Sequence, residues 1–223
     1  MFQSLNQHLR KFLFNNRCSV CNSILFEDEI YICKKCKDIF LQNNSLKKYD
    51  NVYYIFNYNK YFRSLIKNYK FQNRKYIGFF LAKLIEKNLK KVIEENNIDI
   101  IIPIPLNKKR FFSRGFNQVS YILDILNIKY YEAERIKNTK HMSHLLNKNS
   151  RKFNINKAFY IPFQVENKNI LIIDDIITTG NTINELKKEI KSKGKVKSIT
   201  IFSFSMASSF KKYNFGENHD NIN

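Results

Sequence analysis

The sequence predicts an α/β protein built on a parallel sheet, with a small metal-binding module near its N-terminus. Three observations carry that prediction. Two short, nearly continuous apolar runs, Ile98–Pro105 and Ile170–Asp174, have the composition of strands buried on both faces. Segments with helical apolar spacing lie between and after them, the alternation expected of a parallel sheet covered by helices. All four cysteines fall in one stretch, as two Cys-x-x-Cys pairs.

The composition sets the bounds. A chain of 223 residues suffices for one well-cored domain, or one domain with a small appendage. With 43% hydrophobic and 26% charged residues it is ordinary for a globular protein, and 5 Gly and 3 Pro leave little room for flexible linkers. The formal net charge of +20 favours polyanionic partners: nucleic acid, anionic membrane or phosphorylated substrates. A competing account is the richness in Asn, Lys, Ile, Tyr and Phe without Trp, which an AT-rich coding sequence also produces. Most of the cations are Lys, not the Arg preferred for specific phosphate contacts, so charge alone decides nothing. Residues 1–17 hold no continuous apolar run of ~7–15 residues, so no signal peptide is expected. No stretch approaches the ~20 apolar residues of a membrane-spanning helix, and a cytoplasmic protein is expected.

The cysteines come first along the chain. Cys18 and Cys21 form one pair, and Cys33 and Cys36 the other. Each pair makes a tight knuckle, and two knuckles give four thiolates in the tetrahedral array that suits structural Zn²⁺. A redox pair would stand single beside a βαβ unit, and disulfides do not suit a reducing compartment. Ile24-Leu25-Phe26 and Ile30-Tyr31-Ile32 suit a small β-hairpin between the knuckles. Arg17, Lys34, Lys35 and Lys37 make the module basic, which fits either a nucleic-acid contact or a docking appendage.

The body follows. Asn51–Tyr58 is β-branched and aromatic, hence a strand. The spacing over Tyr61–Asn97 predicts two helices broken near Phe71–Asn73. Pro103 and Pro105 stop the strand Ile98–Pro105. A basic, aromatic loop is expected over Lys108–Gly115, then a helix over Phe116–Leu126. Tyr130–Phe159 reads as irregular, Thr182–Lys193 as a helix, and Val196–Ser205 as a strand. The expected division is a zinc module over 1–48, an α/β domain over 49–207 and a polar, disordered tail over 208–223.

The most informative segment runs from the strand Ile170–Asp174 into a helix. Asp174 and Asp175 stand where open α/β sheets place their ligands. Thr178, Thr179, Gly180, Asn181 and Thr182 then lead into the helix, with Thr182 and Glu185 as a capping box. Backbone N–H groups at that helix start, with the threonine hydroxyls, make a cradle for a phosphate monoester. The aspartates suit the vicinal hydroxyls of a ribose; Mg²⁺ is the alternative ligand for carboxylates at a strand end. No GxxxxGK[ST] run is present, which excludes a P-loop.

At these residues the chain resembles the phosphoribosyl pyrophosphate (PRPP) motif of type I phosphoribosyltransferases. Pro103-Ile104-Pro105-Leu106, then Arg110, then Arg114-Gly115-Phe116-Asn117-Gln118, is similar to a block of the ComF family. Arg135, Thr139, Leu145, Arg151, Asn154 and Ala158-Phe159 resemble that family's next block. The double Cys-x-x-Cys matches too, so the resemblance spans roughly residues 15–207. One departure is Met142, where family members usually carry Gln. His141 and His144 beside it are expected on a loop or helix face without a metal.

The resemblance implies a type I phosphoribosyltransferase core with a structural zinc module, and PRPP bound with Mg²⁺. It assigns the 5-phosphate to Thr178, Thr179, Gly180, Asn181 and Thr182, and the ribose hydroxyls to Asp174 and Asp175. Pro103, Ile104, Pro105 and Leu106 would face the pyrophosphate, with Arg110 and Arg114 closing over it. A role in natural competence is implied as well, with incoming single-stranded DNA handled in the cytoplasm and other competence proteins as partners. Lys108, Lys109, Arg110, Phe111, Phe112 and Arg114 interleave cations with aromatics, as single-strand stacking platforms do. The alternative places Phe111 and Phe112 in the core. Two other functions stay open: a salvage phosphoribosyltransferase acting on a base or amine, and a non-catalytic PRPP sensor. No residue stands out as a general base or as a reader of a nucleobase.

Overall fold

In the computed structural model the described residues are 17–26, 29–71, 74–136 and 158–210. Among these residues the first element is helix α1 (Lys34–Gln42), which starts at the second knuckle and buries Cys36 and Phe40. Strands β1 (Lys47–Tyr49) and β2 (Val52–Asn57) follow as an antiparallel pair, turning at Asp50 with a positive φ of 52°. Helix α2 (Lys60–Phe71) is capped by Asn59, whose side chain accepts the N–H groups of Tyr61 and Phe62 at 3.0 Å. It buries Phe62, Leu65, Ile66 and Tyr69, a 3–4 residue spacing that makes one apolar stripe. Helix α3 (Ile77–Glu95) does the same through Leu81, Leu84, Ile85, Leu89 and Val92.

Strand β3 (Ile100–Pro103) is buried along its whole length and ends at the proline expected to stop it. Helices α4 (Lys108–Arg114) and α5 (Gln118–Ile125) come next, then the short antiparallel pair β4 (Glu134–Arg135) and β5 (Phe159–Tyr160). Strand β6 (Asn169–Ile177), helix α6 (Asn181–Lys193) and strand β7 (Ser198–Met206) complete the body.

The main sheet has the order β1-β2-β7-β6-β3, and all its pairs except β1–β2 are parallel. Its central strands alternate between two cores. Ile101, Leu171, Ile173 and Phe202 face α2, α3 and α5, while Ile102, Ile170, Ile172 and Ile201 face α6. Each such isoleucine contributes about 1.5–3 kcal/mol by leaving water. The fold is therefore the parallel α/β sheet that the two apolar runs predict. The parallel strands β2, β7, β6 and β3 place their C-terminal ends along one edge, where a ligand site is expected.

Five local expectations change. No hairpin links the knuckles among the described residues. An isolated bridge joins Arg17 to Ile24, while Asn22 and Tyr31 take positive φ values of 65° and 67°. The knuckle turns use up the short chain, and Leu25 and Ile32 turn inward while Ile24, Phe26 and Ile30 are exposed. The segment expected as a basic loop is helix α4, because Asn107 caps its start by accepting the Arg110 N–H at 2.8 Å and Gly115 ends it at φ 74°. Strand β6 runs three residues past Asp174, so both aspartates lie inside it. Helix α6 begins one residue early, with Gly180 at its N-cap (φ 80°) and no side-chain cap, so Thr182 and Glu185 form no capping box. Phe210, in the stretch expected to be a disordered tail, is buried and meets Tyr49 edge-on at 6.1 Å.

Candidate functional site

The site is built at the C-terminal edge of the sheet. Beyond Ile177 the chain makes the short loop Thr178–Gly180 and enters α6. The left-handed φ of Gly180 is needed there twice over: a Cβ would also stand 2.7 Å from the Phe210 ring. No side chain caps the helix, and the Asn181 N–H reaches Thr179 Oγ1 only at 3.5 Å. The first-turn N–H groups and the positive end of a 13-residue helix thus meet the loop hydroxyls, the arrangement that accepts an anion.

The segment Pro103–Leu106 lies beside the strand that leads into this loop. Pro103 pairs with Ile173, and the Ile104 N–H donates to the Ile173 carbonyl at 2.9 Å, one residue before Asp174. The structure therefore sets the stretch assigned by resemblance to the pyrophosphate against the strand that carries Asp174 and leads into the loop. Pro103, Ile104 and Pro105 are buried; Leu106 is half-buried.

The two aspartates differ. Successive strand residues face opposite sides of a sheet. Asp175 is 3% exposed, and its carboxylate accepts from Lys70 Nζ on α2 at 2.7 and 2.8 Å and from Gln118 Nε2 on α5 at 2.6 Å. Asp174 is half-buried, with its Oδ1 accepting the Asp175 N–H at 2.8 Å. Burial, then the neighbouring Asp175 charge, pushes its carboxyl up to about 8, against the pull of Lys70.

The Arg114–Gln118 block supports both stretches. Arg114 closes α4, Gly115 turns the chain, and buried Phe116 anchors it. Asn117 caps α5, accepting from Val119 N–H at 2.9 Å, and its Nδ2 donates to the Ile104 carbonyl at 3.0 Å. Gln118 holds Asp175. Arg114 is 9% exposed, its Nη1 donates to Gln118 Oε1 at 2.9 Å, and its guanidinium lies 4.9 Å over the Phe71 ring. It sits inside the protein, not on a closing loop; its Nε is buried without a hydrogen-bond partner among the described residues. Burial lowers its pKa, which the Asp175 charge opposes.

On the outer side of α4, Lys108, Lys109 and Arg110 are exposed. Phe111 is 46% and Phe112 81% exposed, so neither belongs to the core. With Pro105, Leu106 and Arg135 they line a cavity of about 380 Å³. Thr139, His141, Met142, His144, Leu145, Arg151 and Asn154 lie outside the described residues. Sequence reasoning missed Lys70, for which no motif signals a role. Asn117 and Gln118 stand in the block that resembles the ComF family, and the resemblance assigns them no role.

The cysteine cluster forms as expected. The four Sγ atoms of Cys18, Cys21, Cys33 and Cys36 lie within 4.8 Å of one another. Tetrahedral Zn²⁺ with bonds of ~2.3 Å needs sulfurs about 3.8 Å apart, and Cys21 and Cys33 stand at 3.6 Å. Cys18 Sγ also accepts the N–H groups of Val20 and Cys33, at 3.4 and 3.3 Å. Burial, then the neighbouring thiols, pushes the Cys36 pKa up, as expected where four sulfurs crowd together. A divalent cation would relieve that crowding, so the set fits a closed structural zinc site.

No helix among the described residues is long and apolar enough to cross a membrane. Residues 80–215 match the family model described as "Phosphoribosyl transferase domain". The competence protein ComFC of Streptococcus pneumoniae is 33% identical over 154 residues, which cover 67% of this chain and 65% of that protein. Competence protein F of Haemophilus influenzae is 29% identical over 85% of this chain and 84% of its own length. The DNA utilization protein YhgH of Escherichia coli K12 is 28% identical over 58% of this chain and 61% of its own.

Proposed function

Because the chain belongs to the phosphoribosyl transferase domain family, as a ComF-type member with an N-terminal cysteine cluster, we propose that it binds PRPP with Mg²⁺ and acts in DNA uptake. The observation that carries the PRPP reading is one juxtaposition. Strand β6 carries the half-buried Asp174 into the uncapped start of α6, and the Ile104–Ile173 hydrogen bond sets the Pro103–Leu106 segment beside that aspartate. Thr178, Thr179, Gly180, Asn181 and Thr182 take the 5-phosphate. Asp174 accepts from a ribose hydroxyl, while Asp175, with both oxygens engaged inside the protein, supports it. Mg²⁺ arrives with the pyrophosphate, which Pro103–Leu106 and exposed Arg110 face.

The DNA half of the reading rests on α4. Its exposed Lys108, Lys109 and Arg110 stand beside Phe111 and Phe112, giving cations for a backbone and rings for bases. Arg114, being buried, is not part of that face. The names of the relatives support competence and DNA utilization as the setting, with single-stranded DNA in the cytoplasm as the polymer handled and other competence proteins as partners. The proposed division stays a zinc module over 1–48 and a transferase-like body over 49–207.

Titration calorimetry of PRPP with Mg²⁺, with and without single-stranded DNA, tests both halves. Wild-type protein is expected to bind PRPP, and Asp174→Asn to abolish binding while keeping the fold; unchanged affinity in that variant sinks the ribose assignment. Binding of single-stranded DNA should be sequence-tolerant and weaken linearly in log-log plots against salt. Phe112→Ala should weaken it by roughly 1–3 kcal/mol. A second reading, pentosyl transfer to a base or amine, is favoured by the raised carboxyl of Asp174, which can exchange a proton near neutral pH. Base-dependent release of pyrophosphate would establish it. PRPP binding with neither DNA binding nor transfer would leave a sensor.

A further inference from the structure

The last turns of α2 hold two different parts of the molecule at once. On one side they grip the cysteine cluster. Asn68 Nδ2 and Ser64 Oγ donate to the carbonyl of Ser19, at 2.7 and 3.4 Å, and Ser19 lies between the first two cysteines. Arg74, just beyond the helix, donates to the Ser19 hydroxyl at 2.9 Å, and Tyr31 stacks on Tyr76 at 3.4 Å. On the other side, Lys70 binds both carboxylate oxygens of Asp175, and Tyr69 Oη donates to the Gln118 carbonyl at 2.9 Å. Asn68 and Lys70 are two residues apart on a helix whose core-facing side chains are fully packed.

A buried carboxylate needs its cation. Asp175 is 4% exposed at its side chain and Lys70 15%, so the pair is shielded from water and neither partner has bulk solvent as a substitute. Asp175 is covalently next to Asp174, and two residues further the strand gives way to Thr178–Gly180. Whatever fixes Asp175 therefore fixes the backbone from which the proposed ligand groups project.

We propose that Lys70 is a positioning residue of the PRPP site: held in place by the grip of α2 on Ser19 of the cysteine cluster, it locks Asp175 and so presents Asp174 and the Thr178–Gly180 loop. The inference rests on the PRPP reading above. It makes the N-terminal cluster part of the site's scaffold, and gives the two distant sequence motifs one physical connection through a single helix. Asp175 then acts as the anchor of the loop and not as a sugar ligand.

Calorimetry of PRPP with Mg²⁺ on the full, zinc-loaded chain tests this. Lys70→Met is expected to weaken binding by about tenfold or more, because it strands a buried carboxylate. Lys70→Arg, which restores a cation to Asp175, is expected to recover most of the affinity, a rescue that a space-filling role alone would not give. Asn68→Ala, which removes the tie to Ser19 and leaves Lys70 in place, should weaken binding by a smaller factor while the zinc content stays at the wild-type level. Wild-type affinity in folded Lys70→Met overturns the proposal. If that variant does not fold, Lys70→Gln carries the test by the same criterion. If wild-type protein itself fails to bind PRPP, the proposed function falls. Amide exchange of residues 176–182 then still reads the tether, and unchanged protection in the Lys70 variants overturns it.

Discussion

Asp174 and Asp175 are the same amino acid at adjacent positions, and the fold gives them opposite tasks. Asp175 is satisfied by Lys70 and Gln118, so its charge is part of the structure. Asp174 is the proposed ligand group, and the protein bears the cost of holding it there. A carboxyl with a value near 3.8 unfolded and about 8 folded keeps its proton longer in the folded state. Its contribution to stability is full below the unfolded value and is lost as pH rises toward the folded one. Asp174→Asn removes this dependence, so the variant should gain on the wild type as pH rises. Melting both proteins at about pH 5 and about pH 8 checks it. The excess melting temperature of the variant should grow with pH, and a constant difference would contradict the assignment. The same variant should lose PRPP, the usual conflict between a site and the stability of its host. The sequence shows the pair but not its division, because strand alternation separates the side chains only once the strand is known to run on to Ile177.

At the scale of elements, the strands were the most legible part. Ile98–Pro105 and Ile170–Asp174 are apolar without a period, and both proved to be central or edge strands buried on both faces. Helices α2 and α3 showed through their apolar spacing, one ending at Phe71 and the next starting at Ile77. Helix α4 was hidden because it buries only Arg114 of its seven residues and so carries no apolar stripe. Its caps, Asn107 and Gly115, were the available signal. The start of α6 was misplaced by one residue because Thr-x-x-Glu is a plausible cap that the fold does not use; the Gly180 turn supersedes it. Asn117 joins an element to the site, since one side chain both caps α5 and holds the Ile104 carbonyl. Asn117→Ala should cost about 1 kcal/mol of stability as a lost cap. Asn107→Ala should cost a similar amount by the same mechanism on α4. The first should weaken PRPP binding more, because only the Asn117 side chain hydrogen-bonds the Ile104 carbonyl within the Pro103–Leu106 segment. Denaturant midpoints and calorimetry on the two variants separate these effects, and equal losses of affinity would refute the link.

At the scale of the whole molecule, the cysteine segment is joined to the body by a shared core. Cys18, Val20, Leu25, Ile32, Cys33, Cys36 and Phe40 belong to the same buried cluster as the apolar faces of α2, α3 and α5. Phe40 alone meets the rings of Phe56, Phe62 and Phe80, at 5.6, 6.4 and 5.9 Å. Asn44 adds polar ties, donating to the Leu84 carbonyl and accepting from Asn88. A metal-held appendage on a tether would come loose alone when its ion is removed. A module that shares the core should not. Chelation is expected to release about one Zn²⁺ per chain. It should lower the melting temperature of the whole body in a single transition, and raise amide exchange along α2 as well as before Tyr49. If exchange rises only before Tyr49, the module is a passenger and the shared cluster carries no coupling. If it rises along α2 and at 176–182 together, the metal, the helix and the ligand loop form one cooperative unit. The chemistry of such a unit would then lie in its connection: a knuckle carbonyl gripped by Asn68, and a strand carboxylate before the loop gripped by Lys70.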